Sequence, residues 1–287
     1  EPSPRTDPAM KSCSVSFTIQ QWKNRGDDVM EKRIKVIDVK GKTIGGDNPL
    51  ICMPIVAKNY DDLMIEAGIM LAQKPDLVEW RVDFYEGVND VNSLLFALEK
   101  LREILIDFPL IFTLRIDIEG GFRTLDPDYR LNLIKEAIRT KKIDMVDFEL
   151  INGEDKIKDI LDTAKQYDVY TILSNHDFKR TPAKDEIIRR LTKAQDLGGD
   201  IAKIAVMANS ISDLLELLEA TYIMKESHAK VPLVTMAMSG KGLLSRLAGG
   251  IFGSSITFAA GRNVSAPGQI SVEDLRNVLD VIERNMG

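Results

Sequence analysis

The chain has 287 residues, 44% hydrophobic and 29% charged, enough for one sizeable buried core. Lys plus Arg number 38 against 44 Asp plus Glu; this net charge of −6 argues against a nucleic-acid surface, and no apolar run approaches a membrane span. With two cysteines (Cys13, Cys52) and two histidines (His176, His228), neither a disulfide scaffold nor a multi-histidine metal centre is expected.

Residues 1–29 open Pro-rich and polar (Glu1-Pro2-Ser3-Pro4) without a periodicity able to bury a face. They read as a flexible extension, with a weak strand at 15–19, ahead of a single catalytic domain over 30–287 that starts at Met30. No secretory signal is evident, so a cytoplasmic location is expected. Apolar runs at 33–37 and 42–44 flank Lys40-Gly41, as in a β-hairpin. From residue 50, short β-rich runs (50–56, 77–82, 110–115, 143–150, 169–175, 201–207, 231–238, 255–259) alternate with longer amphipathic ones. The latter lie at 61–73, 91–106, 129–140, 155–166, 183–197, 210–225 and 243–248, and a last helix at 272–285 follows Ser271 with Asp274 three residues on, a capping pattern. Eight such units predict a parallel (β/α)8 (TIM) barrel. An open doubly wound sheet is the alternative, disfavoured because no glycine-rich nucleotide motif follows the first strand.

Alternation along each strand separates an outward from an inward face. In 77–82 the outward set Val78, Trp80, Val82 leaves Glu79 and Arg81 inward. The same split turns Arg115, Asp147, Glu149 and Lys203 inward and puts Ser174 and His176 on one face. Burying these charges costs several kcal/mol each unless they are paired, and their near-cancellation predicts pairing. Asp147 and Glu149 read as structural partners. Lys203, in a strand of Ile and Ala, is expected to be desolvated and flanked by cations, which suits an imine-forming amine. Its alternative role is a buried partner for Glu149 or Asp147.

His176, within Ser174-Asn175-His176-Asp177, suits proton transfer, whereas His228 reads as surface. Glu119, before Gly120-Gly121, is placed to orient an imidazole or else stands as a solvated loop carboxylate. Arg246 suits a substrate carboxylate. The last loop, 261–269, reads as a lid or a plain surface loop, with Ser265 and Gln269 as ligand-binding groups. Met236 and Met238 alternate inward on the seventh strand.

Together, Val78-Glu79-Trp80-Arg81-Val82-Asp83, Glu119-Gly120-Gly121, Ser174-Asn175-His176-Asp177-Phe178, Lys203-Ile204-Ala205-Val206-Met207, Met236-Ala237-Met238, Ser245-Arg246-Leu247 and Ser265-Ala266-Pro267-Gly268-Gln269-Ile270 resemble, in order, the type I 3-dehydroquinate dehydratases. The resemblance spans residue 33 to the end. It implies a shikimate-pathway lyase, homodimeric and free of cofactors and metals, that converts 3-dehydroquinate to 3-dehydroshikimate by syn elimination of water. Lys203 would form the imine, His176 would move the protons and Glu119 would position it. Glu79, Arg81, Arg115, Arg246, Ser265 and Gln269 would bind substrate, with Phe178, Met236, Met238, Phe258 and Ala266 lining the pocket. Two stretches depart from the family pattern: Leu114-Arg115-Ile116-Asp117 lacks the usual Ser or Thr after Arg, and Met53-Pro54-Ile55 lacks a substrate-touching serine. The rival readings are a class I aldolase-like barrel acting on phosphorylated sugars and a barrel that binds an acidic metabolite without turnover.

Overall fold

The computed structural model describes residues 34–262 and 266–286; the expected extension, the weak strand at 15–19 and Ser265 lie outside them. The hairpin forms with β1 (Ile37–Val39) antiparallel to β2 (Lys42–Ile44). Lys40 and Gly41 take φ of 48° and 75°, a two-residue turn that sets Val39 opposite Lys42. This register moves the first strand toward the turn from its expected place at 33–37.

Eight parallel strands follow: β3 (Leu50–Ile55), β4 (Leu77–Arg81), β5 (Leu110–Thr113), β6 (Met145–Glu149), β7 (Tyr170–Asp177), β8 (Ile201–Met207), β9 (Leu233–Met238) and β10 (Ile256–Phe258). Their order, β10-β3-β4-β5-β6-β7-β8-β9, is that of the expected (β/α)8 barrel. Strand β7 outruns its apolar pattern because Asn175, His176 and Asp177 stay paired with Ile204, Ala205 and Val206. The seam between β9 and β10 is built differently. One bridge joins Leu233 to Ser254, and Ser255 N–H donates to Leu233 O at 2.7 Å. Beyond it, serine hydroxyls replace the ladder: Thr235 N–H donates to Ser254 Oγ (3.0 Å) and Ala237 N–H to Ser245 Oγ (2.8 Å).

The helices are α1 (Tyr60–Gln73), α2 (Val91–Ile104), α3 (Pro127–Arg139), α4 (Glu154–Gln166), α5 (Lys184–Asp196), α6 (Ile211–Ile223), α7 (Leu243–Leu247), α8 (Gly249–Phe252) and α9 (Val272–Met286). Side-chain caps start several of them: Asn59 on α1, Asp90 on α2, Asp126 ahead of Pro127 on α3, and a Ser210/Asp213 capping box on α6. Asp274 N–H donates to Ser271 Oγ at 3.0 Å, as its spacing predicts. Helix α6 ends earlier than expected, passing into a wider turn at Met224–His228, and α8 is an additional turn. No described helix is long and apolar enough to cross a membrane.

Outward strand residues such as Val78, Trp80, Phe112 and Phe148 pack under the helices. Inward residues at the strand starts (Leu77, Ile111, Met145, Ile172, Ile201) cluster with Ile37, Val39 and Ile44, so the hairpin closes the amino-terminal end of the barrel. One inward step further along the strands, the interior becomes polar.

Candidate active site

That step brings Glu79, Thr113, Asp147, Ser174 and Lys203 to one level, all buried. Lys203 Nζ lies 2.7 Å from Asp147 Oδ2 and 3.6 Å from Glu79 Oε1, with the Phe258 ring centroid 4.7 Å away. The expected cationic flank is therefore corrected. Arg81 and Arg115 share the lysine's inward face, but strand stagger sets carboxylates beside the amine instead. Thr113 Oγ1 donates to Glu79 Oε1 (2.8 Å) and Ser174 Oγ to Asp147 Oδ1 (2.6 Å). Burial opposes the Asp147 charge, yet Arg115 and Lys203 outweigh it and hold its carboxyl well below the usual range.

Arg115 lies two residues beyond β5, its guanidinium shared between Asp147 (2.9 Å) and Glu149 (2.7 Å), with a further bond to Ser174 Oγ (2.9 Å). Arg81 is held by Asp83 through two bonds, 2.9 and 2.8 Å. Beyond Arg115 the chain turns back through Asp117–Glu119 into Gly120 at φ 85°. A Cβ on Gly121 would sit 2.2 Å from Arg115 O, so this close return needs glycine.

The turn delivers Glu119 to His176. Register pairs Ser174 with Lys203 and His176 with Ala205, so the imidazole stands one inward step above the amine on the neighbouring strand. Glu119 Oε2 is 2.9 Å from His176 Nδ1 and accepts His176 N–H at 2.8 Å; Oε1 accepts Asn175 Nδ2 at 2.9 Å. Burial, then the Arg115 and Lys203 charges, hold the imidazole well below its ordinary pKa, so it rests neutral. Burial pushes the Glu119 carboxyl up to about 7, against the pull of Arg115 and its hydrogen-bond donors.

These groups open on a cavity at the carboxyl ends of the strands. Its wall includes every expected site residue among those described: Glu79, Arg81, Arg115, Glu119, His176, Lys203, Arg246 and Gln269, with Phe178, Met236, Met238, Phe258 and Ala266. Arg246 is 1% exposed, and no carboxylate lies within salt-bridge reach among the described residues. Its partners among the described residues are weak, the Phe258 and Pro267 carbonyls at 3.3 Å and the Met236 sulfur at 3.9 Å, and its Nε has none there. Burial lowers its pKa to about 10. A buried guanidinium that faces a cavity without a carboxylate partner among the described residues has the chemistry to pair with an anion. Among the described residues no group of three or more His, Cys, Asp or Glu is arranged to hold a metal ion.

Arg130, Asp83, Asn175 and Arg190 escape the strand-alternation reading. Arg130 Nη2 pairs with Glu149 Oε2 and also donates to Leu114 O. Its position with Leu133, Ile134 and Ala137 on the buried face of α3 is the signal that marks it as internal.

A family model described as Type I 3-dehydroquinase matches residues 51–286. The 3-dehydroquinate dehydratase of Bacillus licheniformis is 45% identical over 252 residues, 88% of this chain and 99% of that protein. The type I 3-dehydroquinate dehydratase of Clostridium difficile, solved with covalent modified comenic acid, superposes with a TM-score of 0.85 at 43% identity, covering 88% of this chain and 99% of that one. The 3-dehydroquinate dehydratase of Geobacillus kaustophilus gives 0.86 at 39% identity, over 89% and 99%. On a family match that runs through all eight strands and relatives aligned over nearly their whole length, the chain belongs to the type I 3-dehydroquinase family.

Proposed function

We propose that this protein dehydrates 3-dehydroquinate to 3-dehydroshikimate through an imine on Lys203, with His176 carrying the protons and Glu119 holding the imidazole. The observation that carries the reading is one cavity holding a buried lysine, a neutral imidazole one step above it and an unpaired arginine. Lys203 gives up a proton, for which Asp147 Oδ2 is the nearest acceptor, and attacks the substrate ketone; water leaves as the imine forms. The protonated imine withdraws electrons from the adjacent carbon, so its C–H becomes acidic and the scheme needs no metal. His176 Nδ1 faces Glu119, leaving Nε2 to take that proton. The electron pair expels the hydroxyl from the next carbon, His176 returns the proton to it, and water departs. Hydrolysis of the imine frees Lys203 and the product.

Arg246 receives the substrate carboxylate in this scheme, while Glu79, Arg81, Arg115, Ser265 and Gln269 meet its hydroxyls and carboxylate edge. The proposal extends to a cytoplasmic homodimer, and light scattering at twice the chain mass tests the dimer. The deciding experiment adds borohydride with 3-dehydroquinate and maps the fixed mass by peptide analysis. Lys203 should carry it, and Lys203→Met should be neither labelled nor active. Labelling elsewhere, or turnover in Lys203→Met, overturns the mechanism.

A further inference from the structure

We propose that Asn175 and Arg190 are positioning residues that set the tautomer of His176 through Glu119, a role that rests on the function proposed for that histidine. Neither residue lines the cavity. Asn175 lies between the inward-facing Ser174 and His176 on β7, and Arg190 is on α5. Arg190 Nη1 donates to Asn175 Oδ1 at 2.7 Å, while its Nε donates to Glu186 Oε1 at 2.6 Å. A guanidinium donates and never accepts, so the amide oxygen has to face Arg190. The amide nitrogen must then face Glu119, and it does, donating to Oε1 at 2.9 Å. The chemistry of its neighbours thus decides the Asn175 orientation.

Glu119 consequently meets a donor at each oxygen, with Oε2 taken by His176 N–H and Nδ1. A carboxyl proton placed on Oε1 would point at the Asn175 amide hydrogens, so the filled arrangement favours the carboxylate. A carboxylate in turn keeps the hydrogen on Nδ1 and the lone pair on Nε2, the form a base needs. The charged groups facing Glu119 are Arg115 beyond β5, which favours its ionised form, and Glu149 at the end of β6, which opposes it, with His176 itself on β7. Burial works on the same side as Glu149, so the balance is close and one lost donor tips it. The anchor reaches outward, since Glu186 holds both Arg190 and Arg189 at the protein surface.

The test measures kcat and KM against pH for Asn175→Leu, Arg190→Met and Arg190→Lys, with borohydride trapping alongside. Asn175→Leu should lose roughly ten- to a hundred-fold in kcat with KM within about two-fold. The acidic limb of its kcat profile should move up by roughly one pH unit. Arg190→Met, on a partly exposed helix site, should shift the limb the same way by less, and Arg190→Lys should recover most of it. If Asn175→Leu fails to fold, the two Arg190 variants carry the test. Trapping on Lys203 should persist in all of them. A wild-type pH profile in the variants, or lost kcat with an unmoved limb, overturns the positioning role. A wild-type protein that is not trapped on Lys203 overturns the parent mechanism instead.

Discussion

Replacing Arg130 by Met removes the guanidinium that fastens helix α3 to the charged end of the barrel. Nε and Nη2 donate to Leu114 O at 2.9 and 2.6 Å, Nη1 donates to Asn152 Oδ1 at 3.1 Å, and Nη2 pairs with Glu149. The group also lies 5.3 Å from the Phe148 ring centroid. Methionine fills much of the space but leaves Leu114 O without these donors and the fully buried Glu149 with Arg115 as its remaining cation. Removing one side of a buried ion pair costs roughly 3–5 kcal/mol. For a domain of this size, about 2–4 °C per kcal/mol, that is a fall in Tm of about 6–20 °C by calorimetry. Leu114 O belongs to the peptide that leads into Arg115, so kcat/KM for 3-dehydroquinate should also fall, by roughly ten-fold. Arg130→Lys keeps the charge without the fork and should lie between the two. A Tm within about 2 °C of wild type in Arg130→Met would refute the reasoning, because Glu149 would then be satisfied by Arg115 alone.

Arg246 should behave in the opposite way: Arg246→Met removes an unpaired buried charge, so Tm should stay level or rise while kcat/KM drops roughly 10- to 150-fold through lost carboxylate binding. A clear loss of Tm with normal kcat/KM would make Arg246 a structural residue. The Glu119–His176 pair makes a pH prediction with a definite sign. Between pH 4.5 and 6.5 the unfolded chain holds one proton on His176, and the folded pair holds one on Glu119, so the pair adds little slope to stability. In His176→Ala the raised Glu119 group remains, so stability should fall as pH rises from 4.5 to about 7, by on the order of 1–3 kcal/mol. In Glu119→Gln the depressed imidazole remains, and stability should instead rise with pH up to 6.5; parallel slopes in the two variants would contradict the assignment. Gly121→Ala forces a Cβ to within 2.2 Å of Arg115 O, so the Glu119 turn should shift and kcat should fall about ten-fold or more. Unchanged kcat would show that the turn tolerates displacement.

Much of the site was legible because strand alternation is a rule about direction. Glu79, Arg81, Arg115, His176 and Lys203 point inward as period-two counting requires, and all face one cavity. Partner choice was not legible in the same way. Which charge lies beside Lys203 depends on the stagger between strands, and that stagger puts Asp147 rather than an arginine next to the amine. Arg130 and Arg190 belong to helices, where an arginine ordinarily marks the solvent face; only position relative to buried neighbours distinguishes Arg130. Asn175 stands on the opposite strand face from its histidine neighbour, so it has no signal short of the fold itself. The hairpin register likewise came from turn geometry at Lys40 and Gly41, which outweighed the apolar run before it.

The serine-stitched seam gives the barrel a direction in which to breathe. Amides of Thr235 and Ala237 are protected by hydroxyls that rotate freely once unbonded, whereas the amides within β8 sit in a full ladder. Hydrogen exchange at the first two should therefore be faster than at β8, marking the β9–β10 edge as the least cooperative part of the sheet. Arg246 rides on that edge, because its carbonyl accepts Thr257 Oγ1 at 2.8 Å and its neighbour Ser245 caps Ala237. Lys203 lies across β9 from the seam, in the rigid portion. Because the Phe258 ring lies 4.7 Å from Lys203 Nζ and its carbonyl accepts from Arg246, excursions of the seam shift the contacts of both groups together.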